Sequence, residues 1–175
     1  MIELTKSFLS YLSSTQNPTI MKHLISILVF SLMSTLLLSQ HTGFTPWENC
    51  FGKNASCGYY GCSDIKVTTS ASPIVAIVKR NGKVKKHAYI SAYSSYTFEM
   101  PNGTYQVFFY YGENWSWNKK MNSSECYSIY GGFLDNEFVS KDNPITLQNQ
   151  IMEYTLTRVS NGNFAPKSSS INVAL

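Results

Sequence analysis

Histidine is scarce in this chain of 175 residues, three against twelve Tyr and ten Phe, so few side chains can carry a proton near neutrality. Charge is scarce too. Only 14% of residues are Asp, Glu, Lys or Arg, and the net charge of +4 falls short of the basic density that nucleic-acid binding requires. The chain has no Gly-rich phosphate loop, no nucleophile elbow and no His-Glu-x-x-His helix, which removes the common routes to nucleotide, acyl-transfer and zinc-protease chemistry. No Cys-x-x-Cys knuckle is present, and no segment beyond residue 40 has a convincing 3.6-residue apolar period, so helices should be minor. What is abundant is packing surface. Hydrophobic residues make up 43% of the chain and aromatics 14%, enough for one substantial domain.

Residues 24–38 run uncharged and mostly apolar behind Met21, Lys22 and His23, and are followed by Ser39, Gln40 and His41. That order of basic, apolar and small-then-polar residues is a signal-peptide layout. As a helix the run rises about 22 Å, short of the roughly 30 Å hydrocarbon core, which favours a cleaved signal over a stable span. The expected division is an upstream extension at 1–20, a signal peptide at 21–39 and a mature chain beginning near Gln40. The membrane is then met only during export, and the destination is the periplasm, the cell surface or the medium.

Export makes the four cysteines interpretable, because oxidising compartments let thiols pair. Cys50, Cys57, Cys62 and Cys126 allow three connectivities. The expected one joins Cys57 to Cys62 around a Gly-rich turn and Cys50 to Cys126, tying an N-terminal arm (residues 40–63) to a late loop. Free thiols are the alternative. Zinc is disfavoured, since the spacings hold no histidine between them, and no metal or cofactor is implied.

Strand signals fill the middle of the chain. Residues 65–69 alternate apolar and polar, and Ile74 to Val78 is a β-branched run. Asn81-Gly82 then turns the chain, a dipeptide suited to a type I′ hairpin because both turn residues need positive φ. The return strand is 83–90. Tyr96, Phe98 and Met100 alternate with polar neighbours, and Pro101-Asn102-Gly103 turns into 104–111, which is apolar on both faces and so reads as a central strand. Residues 112–144 exceed an ordinary loop and should hold one further strand near 133–139, and 152–157 forms a last one. The fold class is therefore all-β: an antiparallel β-sandwich of about seven short strands at 64–160, with a flexible polar tail at 161–175.

The stretch from Ile74 to Gly112, with its hairpin, the Ser-Tyr-Thr-Phe-Glu-Met strand and Pro101-Asn102-Gly103-Thr104-Tyr105, resembles carboxypeptidase-regulatory-like, transthyretin-type β-sandwiches. Ala88-Tyr89-Ile90, Tyr105 to Gly112 with Trp115, and Ser140-Lys141-Asp142-Asn143-Pro144 are similar to segments of small exported proteins of Bacteroidota. The resemblance implies a sandwich fold and no particular activity.

Candidate sites are few. Tyr111, Trp115 and Trp117 lie in an aromatic segment beside amides and hydroxyls, fit either to stack on sugar rings, to anchor a protein or to cap the core. Lys79, Arg80, Lys83, Lys85 and Lys86 crowd the Asn81-Gly82 hairpin as a basic patch open to an anionic polymer or lipid surface. His87 should decorate the strand surface beside Lys85 and Lys86, and His41 sits at the new N-terminus. Asp135 and Glu137, two apart, are a weak acid/base pair for a small hydrolase. Sequons occur at Asn54, Asn102, Asn114 and Asn122. The combined expectation is a monomeric, exported, non-catalytic module that binds a protein or glycan of the cell envelope, with a carbohydrate-binding role for Trp115 and Trp117 as the alternative. N-terminal sequencing of protein recovered outside the cytoplasm should begin near Gln40; a product that retains residues 21–39 would remove the signal reading.

Overall fold

Ile74 to Lys79 are six consecutive buried residues on one strand, and the layers of the fold follow from them. The computed structural model describes residues 41–58, 61–157 and 167–175. The extension at 1–20, the signal segment at 21–39 and the first part of the expected tail lie outside the described residues.

In chain order the elements are α1 (Glu48–Phe51), β1 (Cys62–Thr69), β2 (Ile74–Arg80), β3 (Lys83–Ile90), β4 (Ser95–Pro101), β5 (Gly103–Met121), β6 (Ile129–Lys141), β7 (Ile145–Leu147), β8 (Ile151–Leu156), β9 (Lys167–Ser169) and α2 (Ile171–Ala174). A three-stranded sheet has the order β4-β1-β8, and a larger sheet has the order β3-β2-β5-β6-β9, with β7 paired to the start of β5. Pairing is antiparallel except for β1 with β8, which run parallel. The fold is the expected all-β sandwich. It holds nine strands among the described residues rather than about seven, and two of them are long.

One core fills the space between the sheets. Ile65, Val67, Phe98, Met100 and Tyr154 from the small sheet meet Ile74, Ala76, Val78, Ala88, Ile90, Val107 and Phe109 from the large one. Because side chains alternate along a strand, the intervening residues Val75, Ile77, Tyr89, Phe108 and Tyr110 must emerge on the opposite face of the large sheet. A second core forms there. Trp47 from the arm, Met121, Ile129 and Phe133 from the β5–β6 hairpin, and Ala174 with Leu175 after β9 cover that face.

Local chemistry explains the corners. Asn81 and Gly82 have φ of 54° and 75°, the positive pair that a type I′ turn needs, and β2 and β3 pair across them as expected. Pro101 ends β4, and the chain crosses from the small sheet to the large one at Asn102. The strand expected near 133–139 is part of β6, and the stretch 112–144 holds more strand than that. It is mostly β-hairpin, with β5 continuing to Met121 and β6 starting at Ile129. Two register shifts in this hairpin, at Tyr111/Glu113 and Ser116/Lys120, break the alternation that would have marked it as strand.

The expected flexible tail is also corrected. Lys167–Ser169 adds a strand to β6, and Ala174 and Leu175 are fully buried, because the apolar ending Ile171 to Leu175 outweighs the serines before it.

Both expected disulfides form, Cys50–Cys126 and Cys57–Cys62, each with Cα atoms 6.1 Å apart. Cys50–Cys126 spans 76 residues and fastens the arm to the β5–β6 connection, whereas Cys57–Cys62 spans only five. By loop-closure entropy the first should contribute about 4 kcal/mol and the second about 2 kcal/mol. Urea unfolding of the Cys50→Ser/Cys126→Ser and Cys57→Ser/Cys62→Ser proteins should show that ordering; equal losses would mean that the arm holds its place without the long-range link.

Candidate functional site

The arm is held by more than its disulfide. The N–H groups of His87 and Tyr89 on β3 and of Ser91 just after it donate to the Asn54 side-chain oxygen, the Phe44 carbonyl and the Thr42 hydroxyl of the arm, while the Val84 N–H donates to the Glu125 carboxylate beside Cys126. In return the Asn54 amide donates to the His87 carbonyl at 2.8 Å. These bonds occupy an edge that would otherwise be open to strand addition. The arm therefore serves as lid of the second core and as cap of the sheet edge.

Under the lid lies a run of touching aromatic rings. Phe44 meets Trp117 edge to face with centroids 4.9 Å apart, Trp117 meets Trp115 at 6.0 Å, and Trp115 meets Trp47 at 6.5 Å. Trp47 stacks on His87 at 5.6 Å, and its indole N–H donates to the Gly131 carbonyl at 2.9 Å. The run passes from solvent to the centre of the domain: Trp117 is 44% exposed, Trp115 is partly buried against the core and Trp47 is buried.

Of the three aromatic residues singled out from sequence, the structure brings two together. Trp115 and Trp117 share a face, as alternate strand residues should. Tyr111 does not join them; it packs against the inter-sheet core, with its ring 6.0 Å from Phe138, and lines a crevice of about 430 Å³ with Ile74 and Leu156. Asn114, at φ 54°, accounts for the separation. Up to Gly112 the even-numbered residues of β5 face the second core, and beyond Asn114 the odd-numbered Trp115 and Trp117 do.

The basic patch is divided. Lys79 and Arg80 are neighbours on β2 and so face opposite ways: Lys79 lies over the Phe108 ring and donates to the Val173 carbonyl, while Arg80 lies over the Tyr105 ring in the other core. Lys86 is buried, donates to the carbonyls of Ala55 and Glu99, and burial lowers its pKa against the raising field of Glu99. Burial likewise lowers that of Lys79. Lys83 and Lys85 remain exposed, so no continuous basic face exists.

His87 was expected on the surface and is instead fully buried. A bulge between Val78 and Lys79 leaves Lys85 as the extra residue of β3 and sets the phase of the strand so that His87 turns inward. Its Nε2 accepts the Trp47 backbone N–H at 3.0 Å, which places the proton on Nδ1 in the neutral ring. Burial pushes its pKa down to about 4.

The carboxylates expected as an acid/base pair have separate partners. Asp135 accepts from the Asn114 amide at 2.6 Å, while Glu137 pairs with Lys119 at 2.5 Å and accepts the Tyr110 hydroxyl. Asn136, at φ 52°, lies between them and breaks their shared face. Burial, followed by the Glu137 bond, holds the Tyr110 hydroxyl well above its usual range.

Three of the four sequon amides are also engaged: Asn54 with His87, Asn102 with Asn149 and Asn114 with Asp135. Asn122 is exposed.

Sequence reading passed over Phe44 and Trp47 and took Asn54 only as a sequon, although these residues organise this face. The aromatic pair flanking Thr45-Pro46 just before Cys50 was the available signal. Comparison of the chain with models of known families, with characterised proteins and with solved structures finds no match to any of the three.

The depressed pKa of His87 predicts an acid-sensitive fold. The unfolded chain takes up a proton near pH 6.5 and the native protein only near 4, so the folded state binds fewer protons in that window. Stability is therefore unaffected by His87 above pH 6.5 and falls as the pH drops towards 4, by on the order of 3 kcal/mol. Urea unfolding of wild type and His87→Gln at pH 7 and pH 4.5 should show a smaller pH difference in the variant; an unchanged difference would place the sensitivity in other groups.

Proposed function

We propose that this protein is an exported, non-catalytic binding module of the cell envelope, and that it presents the Trp117–Phe44 step to a protein partner. The observation that carries the reading is the exposed Trp117 ring, set by Phe44 and Trp115 on a sheet that is covered on both faces. A rigid, half-exposed aromatic beside polar residues is a common anchor for association. Export is supported by the signal-like segment and by the two disulfides. Kinship with transthyretin-type sandwiches of Bacteroidota belongs to the same reading and is supported by the strand pattern alone.

A protein partner suits this site better than a glycan. Phe44 and Trp117 meet at 79° and Trp115 and Trp117 at 77°, so the rings form an edge rather than the flat platform on which a sugar face stacks. The hydrolase alternative is disfavoured because His87, Glu137 and Asp135 are each engaged by separate neighbours.

Photo-crosslinking tests the proposal. A benzophenone side chain at position 117 of the exported protein should give a discrete protein adduct that is absent when the probe replaces the fully exposed Tyr127. No adduct, or the same adducts from both positions, would overturn it. If instead envelope polysaccharide shifts the tryptophan fluorescence saturably and Trp117→Ala abolishes the shift, the glycan alternative replaces the protein reading.

A further inference from the structure

At the hairpin end of the sandwich, away from the Trp117 step, the two sheets part around a crevice of about 360 Å³. Its walls are largely apolar: Met100 and Pro101 at the end of β4, Tyr105 at the start of β5, and Ala55, Cys57 and Gly58 of the arm. Its charge is of one sign, carried by Arg80, Lys85 and Lys86, and no carboxylate among the described residues lines it.

Each cation has a different standing. Lys86 spends its ammonium on the Ala55 and Glu99 carbonyls, and the Glu99 carboxylate beyond it accepts the Cys57 N–H. Lys86 thus closes the wall and adds field, with two of its three donors already taken by backbone carbonyls. Arg80 is held over the Tyr105 ring, its guanidinium 5.5 Å from the ring centroid and 3.5 Å from the Tyr105 hydroxyl, which itself donates to the Pro101 carbonyl at 2.6 Å. Gly103 makes room for it, since a Cβ there would lie 2.9 Å from the guanidinium. A guanidinium has five donors, and the Tyr105 hydroxyl takes one. Lys85, the extra residue of the β3 bulge, adds an exposed ammonium at the rim. Among the described residues neither Arg80 nor Lys85 forms an ion pair.

The geometry points to a binding site for a carboxylate carried on an apolar body, with Arg80 as the fork that receives the carboxylate, Lys85 as the second cation and Met100 with the Tyr105 side as the floor for the apolar part. A guanidinium held over a ring and against Gly103 has little freedom to turn, and its planar fork matches a carboxylate in two parallel hydrogen bonds. The crevice has the size of a small-molecule pocket and its polar groups are few and convergent. A phosphate would call for more donors than one fork and one rim ammonium. Both a polypeptide C-terminus with an apolar last residue and a small aromatic acid present this chemistry.

Calorimetry on the full disulfide-bonded mature chain tests the site with four probes: phenylacetate, N-acetyl-Gly-Gly-Leu, the C-terminal amide of that peptide, and inorganic phosphate. The carboxylate probes should bind saturably, and the amide at least about tenfold more weakly. Arg80→Gln should weaken binding about tenfold and Lys85→Gln roughly threefold, while Lys83→Gln, on the exposed hairpin outside the crevice, should leave it unchanged. Tighter binding of the peptide than of phenylacetate assigns a polypeptide C-terminus as the source, and the reverse order assigns a small acid. Because Arg80→Gln also removes the contact with the Tyr105 ring, the exposed Lys85→Gln serves as the variant that keeps the fold. Binding of the amide equal to that of the acid, phosphate as tight as the carboxylates, or equal weakening by Lys83→Gln would overturn the assignment. None of these outcomes bears on the crosslink at position 117.

Discussion

The large sheet is apolar on both faces, and a sheet of that kind needs two covers. β2 has six buried residues in a row, and β5 buries four in succession from Val107 to Tyr110. Leaving either face wet would forfeit a core's worth of apolar burial. The small sheet supplies one cover. The other is assembled from pieces too short to fold alone: an arm with one four-residue helix, the far half of the β5–β6 hairpin and a terminal turn. Such pieces need fastening, which explains why the long-range disulfide joins two of them and why Ser123 in the hairpin connection donates to the Leu175 carbonyl in the third.

The same constraint shapes everything that bears on function. Covering the second face draws Trp47 inward, and Trp47 in turn fixes His87 as a neutral core histidine and leaves Trp115 half-buried. Trp117, one step further out, is left at the rim. Edge protection comes from the same arm, whose Thr42, Phe44 and Asn54 occupy donors on β3 and at Ser91 just after it. The first face behaves differently at its hairpin end, where the sheets separate and cations line an apolar crevice. The two candidate contact regions thus lie at a rim and at an open end of the sandwich.

Much of the fold was legible from local pattern. The Asn81-Gly82 turn, the alternation in β1 and β4 and the two-faced apolar run of β5 are decided by neighbours within a few residues, and each appears where those residues place it. Beyond Tyr111 only the strand near 133–139 was legible in the β5–β6 hairpin; the extension of β5 to Met121 was not, because Asn114, Asn136 and the bulge before Lys120 shift the phase. His87 was misplaced for a related reason: one extra residue at Lys85 decides which face the strand turns inward. The tail was misjudged because serines before residue 171 masked an ending with four apolar residues in its last five.

The amino-acid sequence by itself determined the class of fold, the turn chemistry, the cysteines available for pairing and the scarcity of proton-carrying side chains. These depend on composition and on period-two patterns that a strand expresses wherever it lies. Only the tertiary structure decided that Trp115 and Trp117 adjoin Phe44 and Trp47 while Tyr111 faces away, that five clustered cations serve two opposite faces, and that His87 is buried. Those outcomes turn on which distant segment covers which face, and a one-residue bulge, invisible to periodicity, reverses the answer.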